Sequence, residues 1–360
     1  MYDPFGDVLT AWFQNNKRDL PWRHTRDPYK IWLSEIILQQ TRVNQGLDYY
    51  LKFISEFPEV QTLADASKEK VYRLWQGLGY YNRADNLMKA AKVVTENFDG
   101  KFPTNFETLK TLPGIGDYTA AAIASIAFDQ KTPVVDGNVY RFLSRMYGIK
   151  TPIHSGKAKK EFWSLAEELM GNQPPAQFNQ ALMEFGALQC VPQNPDCKNC
   201  IFNAQCFAYS KGIVADFPVK KNKTTVRERF FYYFVIRQQT GNSEFFVLRK
   251  RGEKDIWKNL YDFPSVTLDK PLNDALDALP LAEKEGWFTP KDCEIRSPST
   301  VYEHRLTHLK IQAVFIPVFS RKALSADGKN SLYLVARSEI NNYPVPQLIV
   351  RYFHDRDINY

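Results

Sequence analysis

The chain has 360 residues, 44% of them hydrophobic and 24% charged, which is too long for one small core and suits two domains of ordinary size. No run of eighteen apolar residues occurs, and the start carries Asp3 and Asp7 with no basic segment leading into an apolar one; a membrane-spanning or secreted chain is excluded on this reading, and a reducing, cytoplasmic home is expected. The net charge of +7 favours a polyanionic partner.

Up to about Ser210, apolar residues recur three and four apart, which predicts an α-helical domain over 1–215. One helix face is made by Trp32, Leu33, Ile36, Ile37 and Val43. Glu35 stands about 60° around from Trp32, at the border of that stripe. A carboxyl so placed is partly desolvated and holds a proton near neutrality, although the same spacing also suits an exposed helical Glu. Further on, Leu112-Pro113-Gly114-Ile115-Gly116 leads into an Ala-rich helix from about Tyr118. Two glycines two apart permit a hairpin whose N–H groups point outward beside the positive end of the next helix, and that geometry holds a phosphate. A glycine pair also serves many plain interhelical turns, and Asp117 is unexpected beside a phosphate except as a cap. Asp136, in Pro133-Val134-Val135-Asp136-Gly137-Asn138, precedes a helix from Val139 to Met146, where its plain role is an N-cap.

Four of the five cysteines, Cys190, Cys197, Cys200 and Cys206, follow in the pattern Cys-x6-Cys-x2-Cys-x5-Cys. Four thiolates in so short a loop suit a tetrahedral metal or a cubane cluster, and only the middle pair has zinc-knuckle spacing, so zinc is the second choice. A basic linker is expected over 216–228: residues 216–229 hold five basic against two acidic side chains, whereas 1–215 hold 24 against 22 and 230–360 hold 18 against 16. Its Lys220, Lys221, Lys223, Arg227 and Arg229 either meet phosphates or are simply solvated. Over 229–360 the texture changes to runs rich in β-branched and aromatic residues, Phe230 to Ile236, Glu244 to Leu248, Leu309 to Phe319 and Ser331 to Val335, which predicts a mixed α/β domain.

The cysteine spacing resembles the [4Fe-4S] loop that ends the catalytic domain of the endonuclease III and MutY group of DNA glycosylases, in the helix-hairpin-helix superfamily. Leu20-Pro21-Trp22-Arg23, Trp32 to Arg42, Gly77-Leu78-Gly79-Tyr80-Tyr81, Gly114 to Thr119 and Val135-Asp136-Gly137-Asn138 are similar, in order and spacing, to MutY-type adenine DNA glycosylases, and Asp255 to Pro264 resembles part of their Nudix-like C-terminal domain. The resemblance implies a multidomain chain, an all-α glycosylase domain with a [4Fe-4S] cluster on Cys190, Cys197, Cys200 and Cys206, then an α/β Nudix-like domain. It implies hydrolytic removal of adenine mispaired with 8-oxoguanine or guanine in double-stranded DNA, by a monomer with no membrane association. Glu35 would be the acid and Asp136 would stabilise the cationic sugar, with Tyr118 and Asn138 supporting them. The lyase branch carries a lysine where this chain has Tyr118, and no lysine follows before Lys131; a phenol cannot form an imine, so a monofunctional enzyme is expected.

The same resemblance implies that Leu38, Gln40 and Tyr80 insert beside the flipped nucleotide, that Gly114 and Gly116 meet the DNA backbone, and that Arg18, Trp22, Arg23 and Gln180 line the adenine pocket. His304-Arg305-Leu306-Thr307-His308 aligns with the family's 8-oxoguanine-reading loop His-x-Phe-Ser-His, with Leu306 and Thr307 as departures; Leu306, Thr307 and His308 are the lesion-reading expectations. The paired Arg-Glu and Glu-Glu residues of a Nudix catalytic helix are missing from 270–290, so recognition is expected of that domain and not pyrophosphate hydrolysis. Two other classes stand beside this one, a DNA-binding protein that senses damage without cleaving and an endonuclease III-type lyase.

Overall fold

The computed structural model describes residues 5–220, 226–253, 255–306, 308–322 and 331–358. Thr307, Lys221 and Lys223 lie outside the described residues. The chain forms two compact units, Met1–Ala66 with Asn82–Asn222, and Ser67–Tyr81 with Lys223–Tyr360. No helix among the described residues is long and apolar enough to cross a membrane.

The first unit holds the helices α1 (Phe5–Asn16), α2 (Pro28–Leu38), α3 (Val43–Glu56) and α4 (Val60–Ala64). After α5 (Lys68–Trp75), which belongs to the second unit, it resumes with α6 (Asn82–Asn97), α7 (Phe106–Leu109), α8 (Asp117–Phe128), α9 (Gly137–Tyr147), α10 (Gly156–Met170), α11 (Pro175–Leu188) and α12 (Phe207–Ser210). Two of these are central. α2 buries every residue from Ile31 to Ile37, and α8 buries every residue from Thr119 to Ile126, the mark of helices enclosed on all sides. The alanines of α8 keep its surface low, so α2 and α11 both pack on it. The sequence placed Val43 on the Trp32 face, but α2 stops at Leu38 and Val43 opens α3. The break has a local cause: Gln40 takes a left-handed conformation, φ 57°, which no helix continues through.

A second cluster joins α1, α9, α10 and α11 through Phe5, Phe13, Phe142, Phe162 and Phe185, and Cys190, Cys200 and Cys206 pack against it. The aromatic set Phe142, Phe185 and Phe202 has ring centroids 4.5–5.7 Å apart, close enough for edge and tilted stacking to add to area burial. The cysteine loop is therefore seated on the apolar floor of α9 and α11.

Among the described residues, the second unit holds an eight-stranded mixed sheet. Its strands are β1 (Arg227–Thr240), β2 (Ser243–Lys250), β3 (Tyr261–Asp262), β4 (Ser265–Leu268), β5 (Cys293–Ile295), β6 (Tyr302–Arg305), β7 (Leu309–Ser320) and β8 (Leu332–Ala336). The four apolar runs read from the sequence become β1, β2, β7 and β8, while β3 to β6 are too short to carry a period. β1 is central, antiparallel to β2 and parallel to β7. It buries seven consecutive residues, Phe230 to Ile236, because both faces are covered. Phe230, Tyr232, Phe234 and Ile236 meet Ala278 and Ala282 at α13 (Leu279–Lys284). On the other face Tyr233 stacks on Phe315 at 5.0 Å, and Phe315 on Tyr352 of α14 (Gln347–Asp355) at 4.0 Å.

One polar network crosses this core. Arg251, 7% exposed, donates to Asp262 Oδ2 at 2.6 Å and to Asp255 Oδ2 at 2.9 Å, and lies over the Trp257 ring, which in turn touches His304. The buried ion pair thus braces the base of the β6–β7 hairpin. Removing one partner strands the other charge in a dry interior, so Asp262→Ala is expected to destabilise the second unit by about 3–5 kcal/mol. Paired replacement of Arg251 by Met and Asp262 by Leu is expected to cost less; urea unfolding followed by intrinsic fluorescence compares the two.

Candidate active site

A single cleft in the first unit is lined by Arg18, Trp22, Arg23, Glu35, Leu38, Gln40, Tyr118, Asp136, Asn138, Met183 and Glu184, among others. Nine of these are residues singled out in the sequence, brought together from α2, α8, the start of α9 and the segment before α2.

Glu35 is 8% exposed, one turn before the end of α2 and set among the buried Trp32, Leu33, Ile36 and Ile37. Burial pushes its carboxyl up to about 7, the Tyr118 hydroxyl works against that rise, and the charge of Asp136 adds to it. Tyr118 Oη donates to Glu35 Oε2 at 2.6 Å. Arg83, on α6, closes the helix end from outside: its Nη1 donates to the carbonyls of Ile36 and Ile37, both at 3.0 Å, and to that of Gln39. These are orphan carbonyls of a helix C-terminus, so Arg83 holds the turn that presents Leu38, half-buried, and Gln40, exposed.

Asp136 does cap α9, accepting from Val139 N at 2.8 Å, and its other oxygen accepts from Asn138 Nδ2 at 2.7 Å. Burial raises this carboxyl, while the hydrogen bonds from Val139 and Asn138 oppose the rise. The segment before it is pinned by Asn179, fully buried, which accepts from Val134 N at 3.0 Å and donates to Thr132 O at 2.8 Å. Arg141 fixes Asn138 in turn: its Nη2 donates to Asn138 Oδ1 at 3.0 Å and to Gly186 O at 2.5 Å, and its Nε to Cys190 O at 2.8 Å.

Arg18 and Arg23 reach the cleft as a pair clamped on Glu184, which is 1% exposed. Arg18 donates to it from Nε at 2.9 Å and Nη2 at 2.6 Å, Arg23 from Nη1 at 2.8 Å and Nη2 at 2.6 Å. Burial alone would raise the Glu184 carboxyl, but these bonds outweigh it and hold it at about 2. Trp22 is buried edge-on against Tyr50 at 5.1 Å. Gln180 does not line this cleft; it lines a neighbouring hollow that shares Arg18 and Arg23.

The glycine hairpin precedes α8 as expected. Gly114 has φ +74°, and a Cβ there would lie 2.6 Å from the Asn86 Cβ, so glycine is required. Gly116 is an ordinary extended residue facing open space, which suits approach by a ligand and not the turn itself. Asp117 is not the cap; Gly116 is. The Asp117 carboxylate pairs with Lys159 and, at 3.2 Å, with Lys110, and the Lys159 bond leads the causes that lower its pKa. Its negative charge is thereby balanced at the hairpin.

The four cysteines Cys190, Cys197, Cys200 and Cys206 are free and line one hollow with Phe142, Arg145, Phe185 and Phe202. Among the described residues, no three His, Cys, Asp or Glu side chains are grouped so as to hold a metal ion. Donors nevertheless face the sulfurs: Arg145 Nη1 lies 3.4 Å from Cys190 Sγ, and Phe202 N lies 3.4 Å from Cys200 Sγ. Such bonds suit thiolate ligands, and four cysteines lining one hollow are the donor type an iron–sulfur cluster uses. Arg145, 2% exposed, also donates to Val191 O at 2.7 Å and Pro192 O at 3.0 Å.

In the second unit Tyr80 is 52% exposed with φ 49°, a rare conformation for an aromatic residue. Leu306, half-buried, and His308, exposed, sit at the tip of the β6–β7 hairpin, which is closed by Leu306 N donating to Leu309 O at 2.7 Å. His304 is half-buried against Trp257, and burial lowers its pKa.

Sequence reasoning missed Arg83, Arg141, Asn179, Met183, Glu184 and Gly186. For Glu184 a signal existed, since it is the one charged residue of α11; Arg141 shares its side of α9 with Asn138, Ser144 and Arg145 and gave none. For Arg83, Asn179 and Gly186 none did, since each acts on backbone far away in sequence.

Residues 33–168 match the model of the HhH-GPD superfamily base excision DNA repair proteins, and residues 232–355 match that of the NUDIX domain. The chain is 40% identical over 262 residues to an adenine DNA glycosylase of Buchnera aphidicola subsp. Schizaphis graminum (strain Sg), covering 72% of this chain and 74% of that one. It is 33% identical over 347 residues to the adenine DNA glycosylase of Buchnera aphidicola subsp. Baizongia pistaciae (strain Bp), covering 95% and 94%. Among solved structures, that of a thermostable thymine-DNA glycosylase superposes with a TM-score of 0.52 at 33% identity, covering 57% of this chain and 95% of that one. With a cleft built on paired carboxylates and an alignment spanning nearly the whole length of both chains, the protein belongs to the adenine DNA glycosylases, base excision repair enzymes that join a helix-hairpin-helix domain to a NUDIX-type domain.

Proposed function

We propose that this adenine DNA glycosylase removes adenine from 8-oxoguanine:A and G:A mispairs in duplex DNA and stops at the abasic site. The observation that carries the reading is the 2.6 Å bond from Tyr118 to the buried Glu35: a phenol occupies the place of a lyase amine and holds a carboxyl that burial pushes up to about 7. No lysine is among the described residues lining the cleft, which supports hydrolysis without strand cleavage.

In this reading the hairpin at Gly114 and Gly116 grips the backbone, and the mispaired adenine leaves the stack at a cost of a few kcal/mol. Leu38, Gln40 and Tyr80 fill or wedge the gap, and Leu306, Thr307 and His308 read the lesion. The adenine enters the cleft beside Trp22, Arg18 and Arg23, with Gln180 behind that wall. Glu35 gives its proton to adenine N7, the C1′–N9 bond breaks with its electrons passing to the base, and the sugar is left cationic. Asp136, oriented by Asn138, faces that charge until water adds at C1′, its surplus proton passing to the Glu35 carboxylate. Cys190, Cys197, Cys200 and Cys206 would hold a [4Fe-4S] cluster, which when bound supplies ligation that closes the loop.

The test is single-turnover adenine release from 8-oxoguanine:A and G:A duplexes, with strand breaks scored before and after alkali. Breaks are expected only after alkali, and borohydride is expected to trap no covalent adduct. Glu35→Gln is expected to lose about 10²–10⁴-fold in rate. Asp136→Asn keeps an equally good cap and is expected to lose about 10²–10³-fold; full activity there would leave Asp136 a cap and nothing more.

A stability test separates burial from catalysis. Burial pushes the Glu35 carboxyl up to about 7 from its ordinary value of 4.5, so the fold resists its ionisation. The stability intact below the unfolded value is lost as pH rises through the folded one. Glu35→Gln is therefore expected to be more stable than wild type at pH 8, by on the order of 3 kcal/mol, and equal to it near pH 4. Denaturant melts at the two pH values check this.

Cys190→Ala is expected to loosen residues 190–206 and weaken duplex binding before it slows the saturated rate of release. Limited proteolysis, visible absorbance and binding isotherms read this together; full binding with normal absorbance would count against it.

A further inference from the structure

Tyr118 Oη, 2.6 Å from Glu35 Oε2, also lies 3.5 Å from the sulfur of Met183. A phenol carries one proton, and burial, with the charges of Glu35 and Asp136, keeps it bound far above neutrality. That single proton has two acceptors within reach, and the state of Glu35 selects between them. When Glu35 is ionised, its carboxylate is the stronger acceptor and takes the bond. When Glu35 is neutral, its own O–H turns to Tyr118 Oη, and the phenol proton must go elsewhere. The thioether of Met183 is a weak acceptor, but it is placed where the need arises.

We propose that Met183 is a positioning residue for base removal: its sulfur accepts a hydrogen bond from the Tyr118 hydroxyl while Glu35 is neutral, and so leaves Tyr118 Oη to accept one from the Glu35 O–H until a purine enters the cleft. The proposal rests on Glu35 acting as the acid. An incoming adenine offers a better acceptor in N7, the Glu35 O–H turns to it, and an N7–H bond forms as the Glu35 O–H breaks. Tyr118 then returns its proton to hydrogen-bond the new carboxylate. Nothing is oxidised, and no proton is gained from or lost to solvent in the exchange.

The groups facing Glu35 are few. Tyr118 comes from α8, Asp136 from the start of α9, and Glu184 from α11, with Arg18 and Arg23 clamped on Glu184 from the segment before α2. Met183 stands next to Glu184 on α11, so it is the comparison with the Tyr118→Phe background that assigns a shift in Glu35 to the sulfur.

Met183→Leu keeps the volume and removes the acceptor. In the free protein, carbon NMR of the Glu35 carboxyl is expected to show titration about 0.4 pH unit lower. Tyr118→Phe is expected to move it the other way, because the bond that favours the carboxylate is lost. Adding Met183→Leu to Tyr118→Phe is expected to do nothing more, since no hydroxyl remains to be accepted. An unmoved Glu35 titration in Met183→Leu overturns the proposal, and so does an equal shift in both backgrounds, which would make Met183 packing alone. The titration needs no catalysis, so its failure is distinct from retained adenine release in Glu35→Gln, which would overturn the acid role itself.

Discussion

The close approach of α11 to the first turn of α9 is the contact on which the site depends. Gly186 makes it: a Cβ at that position would lie 2.7 Å from the backbone oxygen of Asn138, closer than real carbon atoms come. Because the side chain is absent, Arg141 can span Asn138, the Gly186 carbonyl and the Cys190 carbonyl at once. One turn later on the same helix, Arg145 reaches the Cys190 sulfur and the carbonyls of Val191 and Pro192. A single helix thus carries Asp136 at its cap and the cysteine loop along its flank. Whatever shifts one end of α9 is felt at the other, because a packed helix moves as a body and not residue by residue.

Two glutamates line the same cleft, both nearly removed from solvent, and they differ in pKa from about 7 for Glu35 to about 2 for Glu184. Burial acts on both in the same direction. The difference lies in the partners: Glu184 takes five hydrogen bonds from Arg18 and Arg23, whereas Glu35 has one phenol and a like-charged neighbour. Environment, not residue type, brings one carboxyl up to the neutral range and keeps the other a fixed anion. The clamp also spends the guanidinium charges on Glu184, so the cationic wall does not reach across to ionise Glu35.

Much of this was legible in the sequence, and the reason is local. The border position of Glu35 on an apolar stripe, the Asp136 cap, the glycine hairpin and the four cysteines are all carried by residues near one another in the chain. The apolar and aromatic run from Phe230 to Ile236 likewise announced a strand, while its burial on both faces came only with the structure. What escaped were contacts made across the fold onto backbone, such as Arg83 on the end of α2 or Asn179 on the Val134 segment, which leave no period and no spacing. The end of α2 was also misjudged, since Val43 continues the apolar pattern while the left-handed Gln40 has already broken the helix. An apolar period reports burial on a face; it does not report that two helices share that face.

On the mechanism proposed here, the residue at position 118 decides more than the presence of a nucleophile. A lysine ammonium placed 2.6 Å from Glu35, where the Tyr118 hydroxyl stands, would stabilise the carboxylate, and an opposite charge at that range lowers a carboxyl by one to three units, roughly. From about 7, such a fall would leave little neutral Glu35 at physiological pH. The same contact would keep the lysine charged and so unable to attack a sugar carbon. A lysine at position 118 would therefore work against the acid role proposed for Glu35. Tyr118 is the resident that a neutral Glu35 tolerates: polar enough to hold the carboxyl in place, neutral enough to let it keep its proton.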